Sequence, residues 1–124
     1  MLEILNTIKS RMNSLGLSYE FGRMTQTPLS YPYWVGEYTE IEGLNEDGKE
    51  ESTIILTGFS RGKFLELEKE KSIIKEHFRD GVLYYSEKGS TIYITYARAI
   101  PIPQEDDDLK KIQVILNIKY WKGN

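Results

Sequence analysis

The chain has 124 residues, of which 40% are hydrophobic and 28% are charged, and this balance is typical of a single globular domain spanning residues 1–124. It contains no cysteine, which excludes disulfides, thiolate metal sites and a cysteine nucleophile. A net charge of −3 argues against a protein that coats nucleic acid, and no apolar run reaches the length of a membrane span. The first fifteen residues lack the pattern of a signal peptide, so we expect the protein to be intracellular or assembled inside a cell.

Two amphipathic helices are predicted. Apolar residues recur every three or four positions from Met1 to Leu15, and Gly16 follows where a helix end is expected. A second apolar stripe with the same spacing predicts a helix from Lys63 to Phe78. Charged residues surround both stripes, so each helix must pack one face on a partner surface to be stable.

Alternating apolar and polar residues predict two hairpins. The first joins a strand over 33–41 to a strand over 51–59, and the Asp47-Gly48 pair between them is a strong turn signal. The second hairpin joins a strand over 91–100 to the longest strand, over 109–121. Strands joined in this way run antiparallel.

The element order is helix, hairpin, helix, hairpin. It predicts an α+β fold in which two helices pack on one face of a mainly antiparallel sheet of about four to five strands. Residues 17–21 read as a brief extended piece and residues 82–85 as a short strand or a bend. Residues 22–30 have no periodicity and predict a loop.

One pentapeptide matches a catalytic pattern. Gly58-Phe59-Ser60-Arg61-Gly62 has the spacing of a hydrolase nucleophile elbow, between a predicted strand and a predicted helix. A serine nucleophile needs a base, and the single histidine, His77, lies about 25 Å along the following helix. We therefore expect no catalytic residues and no enzymatic activity, and we interpret Ser60 as the N-cap of the second helix.

Two acidic stretches resemble a calcium site only loosely. Residues 105–108 are all acidic but contain no glycine, and residues 45–51 place Lys49 where a ligand should be. His77 has no second histidine with which to share a metal ion. We therefore predict neither a metal nor a cofactor, and we interpret both stretches as solvated hairpin tips.

The aromatic content suggests a binding surface. Nine tyrosines and two tryptophans are too many for one small core. If one sheet face packs on the helices, the other exposes amphipathic rings of the kind enriched at protein interfaces. The candidate interface residues are Trp34, Tyr38, Tyr93 and Trp121. A sheet face covered by its own loops is the equally supported alternative.

Several segments together resemble a known family. They are YPYWVGEY at 31–38, STIILTGFSRG at 52–62 running into FLELEKEKSIIKEHF at 64–78, STIYITYARAIPIP at 90–103 and KIQVILNIKYW at 111–121. Taken in this order, which covers nearly the whole chain, they resemble the tail terminator, or tail completion (head–tail joining), proteins of long-tailed bacteriophages and prophages.

The resemblance implies a structural virion protein without a cofactor or an active site. Such a protein forms a hexameric ring that terminates the tail tube and joins the tail to the head connector. Its partners would be further copies of itself, the tail tube protein and the head connector protein, with DNA passing through the channel and assembly taking place in the host bacterial cytoplasm. Other head–tail joining or tail-tube proteins share this element order, and a small soluble binding module remains the alternative from a different class.

Charge alone suggests a role for the acidic tips. Asp106, Asp107 and Asp108, together with the tip at 42–51, would repel DNA if they faced the channel of such a ring. Repulsion would let DNA slide through without binding. We therefore expect these residues to project from the ring or to line its channel.

Overall fold

The computed structural model describes residues 1–41, 48–62, 64–105 and 108–123. Within them the fold is α+β, as the element order predicts. In chain order the elements are α1 (Leu2–Ser14), β1 (Tyr19–Phe21), β2 (Tyr33–Ile41), β3 (Lys49–Arg61), α2 (Phe64–Phe78), β4 (Val82–Tyr85), β5 (Thr91–Pro101) and β6 (Leu109–Trp121). Gly16 adopts a positive φ of 78° directly after Leu15, the C-cap of α1, in agreement with the predicted helix end.

The described residues form one six-stranded sheet with the order β1-β2-β3-β6-β5-β4. β1 pairs parallel with β2, and every other pair is antiparallel. The prediction of four to five strands was therefore too low, because β1 and β4 join the sheet at its two edges. The pattern predicted only a brief extended piece over 17–21 and a short strand or a bend over 82–85, because so few residues carry too few alternations to decide.

Both predicted hairpins are present, although the Asp47-Gly48 turn lies partly outside the described residues, at 42–47. β2 pairs with β3, and β5 pairs with β6, in the expected antiparallel sense. The pairing of β3 with β6 connects the two hairpins over thirteen residue pairs, from Lys49 opposite Trp121 to Arg61 opposite Leu109. This central pair joins strands that are distant in sequence, and it holds the two halves of the chain together.

Both helices pack on one face of the sheet, which we call the helix-covered face. Its core combines three residues of α1, three of α2 and one parity of the central strands. The main contributors are Ile4, Ile8, Met12, Leu67, Ile74, Phe78, Ile54, Leu56, Ile112, Val114, Leu116 and Ile118. All of these side chains are essentially inaccessible to solvent, and their burial is the main stabilising contribution to the fold.

Gly58 lets a helix approach the sheet closely. A Cβ atom at this position would lie 2.7 Å from Leu67 Cδ1 of α2 and 2.7 Å from the Trp34 ring. Any larger residue would force these two buried side chains to shift. The absence of a side chain therefore determines how α2 and the β2 tryptophan pack together.

A hydrogen-bonded clasp connects the first turn of α1 to the end of β6. The Tyr120 hydroxyl donates to Glu3 Oε2 and lies 3.2 Å from Ser90 Oγ, which accepts the Gly123 N–H at 2.9 Å. The hydrogen bond from Tyr120 is the main reason why the pKa of Glu3 is lowered to about 2. The same bond raises the pKa of Tyr120. The carboxylate form of Glu3 is thus favoured in the folded protein.

Candidate interaction surfaces

The face of the sheet opposite the helices, here called the open face, carries the alternate residues of every long strand. Its side chains come from rows that cross the sheet, such as Tyr33–Phe59–Lys111 and Val35–Thr57–Gln113. Exposed polar residues, among them Glu37, Thr39, Asn117 and Lys119, lie between half-buried apolar ones. No helix of the described chain buries a residue on this face.

The loop over residues 22–32 covers one end of the open face. Gly22 N–H donates to Gly36 O at 2.9 Å, and Thr25 N–H donates to Glu20 Oε2 at 2.7 Å. The Thr25 side chain also donates to the Glu20 carboxylate, and these bonds lower the pKa of Glu20. Between this loop and the sheet lies a groove of about 350 Å³. The loop therefore covers this end of the sheet face, as one of the two interpretations expects.

The opposite end of the open face presents what we call the β4 edge patch, made of Leu83, Tyr85, Tyr93 and Trp121. Leu83 lies opposite Tyr93, and Thr91 connects Tyr85 to Trp121 across the sheet. Leu83 is 50% exposed and Tyr85 is 74% exposed, whereas Tyr93 and Trp121 are half-buried. β4 is the last strand in the sheet order, so its outer edge has no neighbouring strand among the described residues.

A second exposed aromatic pair lies at the other edge of the sheet. The rings of Phe21 in β1 and Tyr38 in β2 stack with centroids 5.9 Å apart. They are 44% and 41% exposed, respectively. We call this pair the β1 edge patch. It lies on the same side of the sheet as the helices, because Tyr38 shares its strand parity with the buried Trp34.

The four predicted interface residues do not form one surface. Trp34 is fully buried in the core, where its Nε1 donates to Glu70 Oε1 of α2 at 2.9 Å, so it is not available to a partner. Tyr38 belongs to the β1 edge patch, and Tyr93 and Trp121 belong to the β4 edge patch. Leu83 and Tyr85 were not among the predicted interface residues, because their strand is too short for its exposed parity to be recognised.

Ser60 and His77 lie in different parts of the molecule. Ser60 is buried within β3, and because that strand continues to Arg61 and α2 begins at Phe64, it is not placed at a helix start. The expectation that it caps the helix was therefore wrong. His77 Nε2 lies 3.0 Å from the hydroxyl of Tyr84 in β4, and burial is the main cause of its lowered pKa.

The distance between the two residues follows from the sheet register. Ser60 lies opposite Lys110, and Tyr84 is connected through Ile92 to Tyr120. Lys110 and Tyr120 are ten residues apart on β6, which corresponds to about 33 Å along an extended strand. The structure therefore brings no histidine base to Ser60.

The acidic tips are only partly described. Asp106, Asp107 and residues 42–47 lie outside the described residues. Asp108 Oδ2 lies 3.5 Å from Arg61 Nη1, and its carbonyl accepts the Gly62 N–H at 2.7 Å. Asp108 is thus held against the end of β3. Across the described ranges, no three His, Asp or Glu side chains lie close enough together to bind a metal ion.

No family model matches the sequence, and no curated protein is significantly similar to it. Neither of the two described helices has the length and apolar character that crossing a membrane requires.

Proposed function

We propose that the chain is a structural protein that assembles into a ring of identical copies, of the type that terminates a bacteriophage tail tube and joins it to the head connector. The resemblance of its segments to the tail terminator proteins supports this function. The structural observation that carries it is the presence of two different exposed aromatic patches at the two edges of one sheet. The tail tube protein and the head connector would be the further partners.

A ring requires contacts of a particular kind. Each copy must offer two unlike surfaces, one for each neighbour, and the rotation between copies must close. The β4 edge patch and the β1 edge patch are such a pair, because they lie at opposite edges and on opposite sides of the sheet. Contact between them would bury the exposed rings of Phe21, Tyr38 and Tyr85, which are residues of the type that contribute most to interfaces.

The oligomeric state tests the proposal directly. We expect light scattering after size exclusion to show a closed oligomer that dissociates on dilution, alone or with the tail tube protein. Tyr85→Asp places a charge in the β4 edge patch and should give monomers with unchanged thermal stability. Leu65→Asp is the matched control, because Leu65 is 75% exposed on α2 and belongs to neither patch.

The contrary results are equally clear. A strict monomer under both conditions, or an oligomer that Leu65→Asp disrupts and Tyr85→Asp does not, would refute the proposed contact. The first result would favour the second candidate function, a monomeric binding module. The groove between the loop over residues 22–32 and the open face is the observation that supports this alternative.

A further inference from the structure

The groove has the size and composition of a small-molecule site. Its volume of about 350 Å³ falls in the range typical of ligand pockets. One wall is aromatic, since the rings of Tyr33 and Phe59 stack with centroids 5.0 Å apart. Its floor includes Val35 and Thr57, which are buried although they lie on the face that carries no helix. The loop and the sheet thus enclose a space with a mixed apolar and polar lining that is open at its rim.

A buried hydroxyl in the floor has no partner. Thr57 is 4% exposed, and its Oγ1 makes no hydrogen bond to any described residue. Burying an unpaired hydroxyl is unfavourable, so an unpaired one in a groove indicates a position where a ligand atom can bond. The oxygen itself is covered by neighbouring atoms, so rotation about the Cα–Cβ bond, which exchanges the hydroxyl and methyl positions, must turn it towards a ligand. Gln113 in the same cross-strand row adds an amide.

Charge is distributed unevenly along the groove. Lys111 Nζ lies 5.4 Å from the centre of the Phe59 ring, and Arg23 contributes a second cation to the lining. Glu37 lines the groove four residues beyond Tyr33 on the same strand, about 13 Å along β2 from the Tyr33–Phe59–Lys111 row. Lys111 is the cation farther from Glu37, since Arg23 directly follows Gly22, which bonds to Gly36 beside Glu37. An anionic group is therefore favoured at the Lys111 end.

We propose that this groove binds an organic carboxylate that carries an apolar body of about the size of an aromatic ring. The carboxylate pairs with Lys111, the body packs on Phe59 and Val35, and the Thr57 hydroxyl bonds a ligand oxygen. The ligand is either a free acid or the carboxyl end of a partner's chain, since both present the same group. The groove shares no lining residue with the β4 edge patch or the β1 edge patch, so this site can be tested apart from the proposed ring.

Binding of a probe tests the site without knowledge of the natural ligand. We expect 3-phenylpropionate to shift the amide NMR signals of residues around the groove in a saturable manner, with a dissociation constant of about 1 mM for a molecule of this size. The neutral analogue 3-phenylpropanol should bind roughly tenfold more weakly, because it cannot pair with Lys111. No saturable shift, or shifts that lie mainly outside the groove, would overturn the proposal.

Variants separate binding from stability. Lys111→Gln should weaken 3-phenylpropionate binding by about tenfold, and Lys122→Gln, which removes a lysine outside the groove, should leave it unchanged. Thr57→Val keeps the shape but removes the unpaired hydroxyl, so it should weaken binding by about three- to tenfold while the melting temperature stays the same or rises. Unchanged affinity in both Lys111→Gln and Thr57→Val would refute the assignment.

A peptide distinguishes the two sources of the carboxylate. A short peptide ending in phenylalanine carries the same group at its C-terminus. Tighter binding of the peptide than of 3-phenylpropionate identifies the end of a partner's chain as the ligand, and equal or weaker binding identifies a free acid. If the C-terminal amide of the peptide binds as well as its acid, the pairing with Lys111 is refuted.

Discussion

Neighbouring residues of β6 lie in two different environments. Leu116 is fully buried beneath the helices, whereas Ile115, one position earlier, projects from the open face and is half-buried. The same alternation separates the two tryptophans, since Trp34 lies in the core and Trp121 in the β4 edge patch. Because hydrophobic stabilisation scales with buried apolar area, the helix-covered face contributes most of the stability. The open face can therefore carry binding groups at little cost to folding.

The largest expected loss of stability comes from truncating Leu116 in the core, and its neighbour Ile115 on β6 provides the comparison. Leu116→Ala should lower the free energy of unfolding by about 3 kcal/mol, because it leaves a cavity in a closely packed core. Ile115→Ala, on the same strand, should lower it by about 1 kcal/mol, since the side chain is half-buried and its surroundings can adjust. Urea denaturation measures both. Equal losses in the free energy of unfolding would show that Ile115 is packed as tightly as Leu116, and that the open face is covered by another part of the chain.

The two tryptophans sharpen the same comparison. Trp34→Phe should cost about 2 kcal/mol, because it removes ring volume in the core and leaves the half-buried Glu70 carboxylate without the indole N–H that donates to it. Trp121→Phe should cost about 0.5 kcal/mol, as expected for a substitution at a partly exposed site. Thermal and urea unfolding of the two variants test the difference. A larger loss for Trp121→Phe would contradict the assignment of the core.

The clasp around Glu3 and Tyr120 makes a smaller contribution to stability, and this contribution depends on pH. The pKa of Glu3 falls from 4.5 to about 2 on folding, so its ionised form stabilises the native state above pH 4.5. This contribution is lost as the pH drops from about 4.5 towards 2. Glu3→Gln should therefore destabilise the protein at neutral pH and flatten the fall in stability over this acid range.

Unfolding followed between pH 2 and pH 7 measures this dependence. Glu40→Gln is the matched control, because Glu40 is an exposed carboxylate on β2 outside the clasp. If Glu3→Gln and the wild type lose stability in parallel on acidification, the hydrogen bond from Tyr120 does not favour the ionised form of Glu3.

Local patterns predicted the long elements because their signal is repeated several times. The α1 and α2 stripes and the alternation in β5 and β6 each span at least three periods, and the observed bounds agree closely with the expected ones. β3 extends beyond its predicted range at both ends, from Lys49 to Arg61, because its pairing with β6 continues where the apolar pattern stops. β1 and β4 form only because a longer strand is present beside each of them.

The candidate surfaces were less accessible to sequence reasoning. Aromatic content indicated an interface, but it could not show that Trp34 would lie beneath α2 and find a partner in Glu70, 36 residues away. Likewise, the groove depends on how the loop over residues 22–32 folds back on Thr57 and Phe59. Such contacts join residues distant in the chain, and no local pattern encodes them.

By itself, the amino-acid sequence determined the α+β class, the two amphipathic helices and the two hairpins, because hydrophobic periodicity and turn chemistry act between near neighbours. Only the tertiary structure decided the strand order, the two edge strands and the face on which each aromatic ring lies. The physical reason is the pairing of β3 with β6: its cross-strand hydrogen bonds and shared core join distant segments, and they thereby determine which parity the helices cover and which remains open.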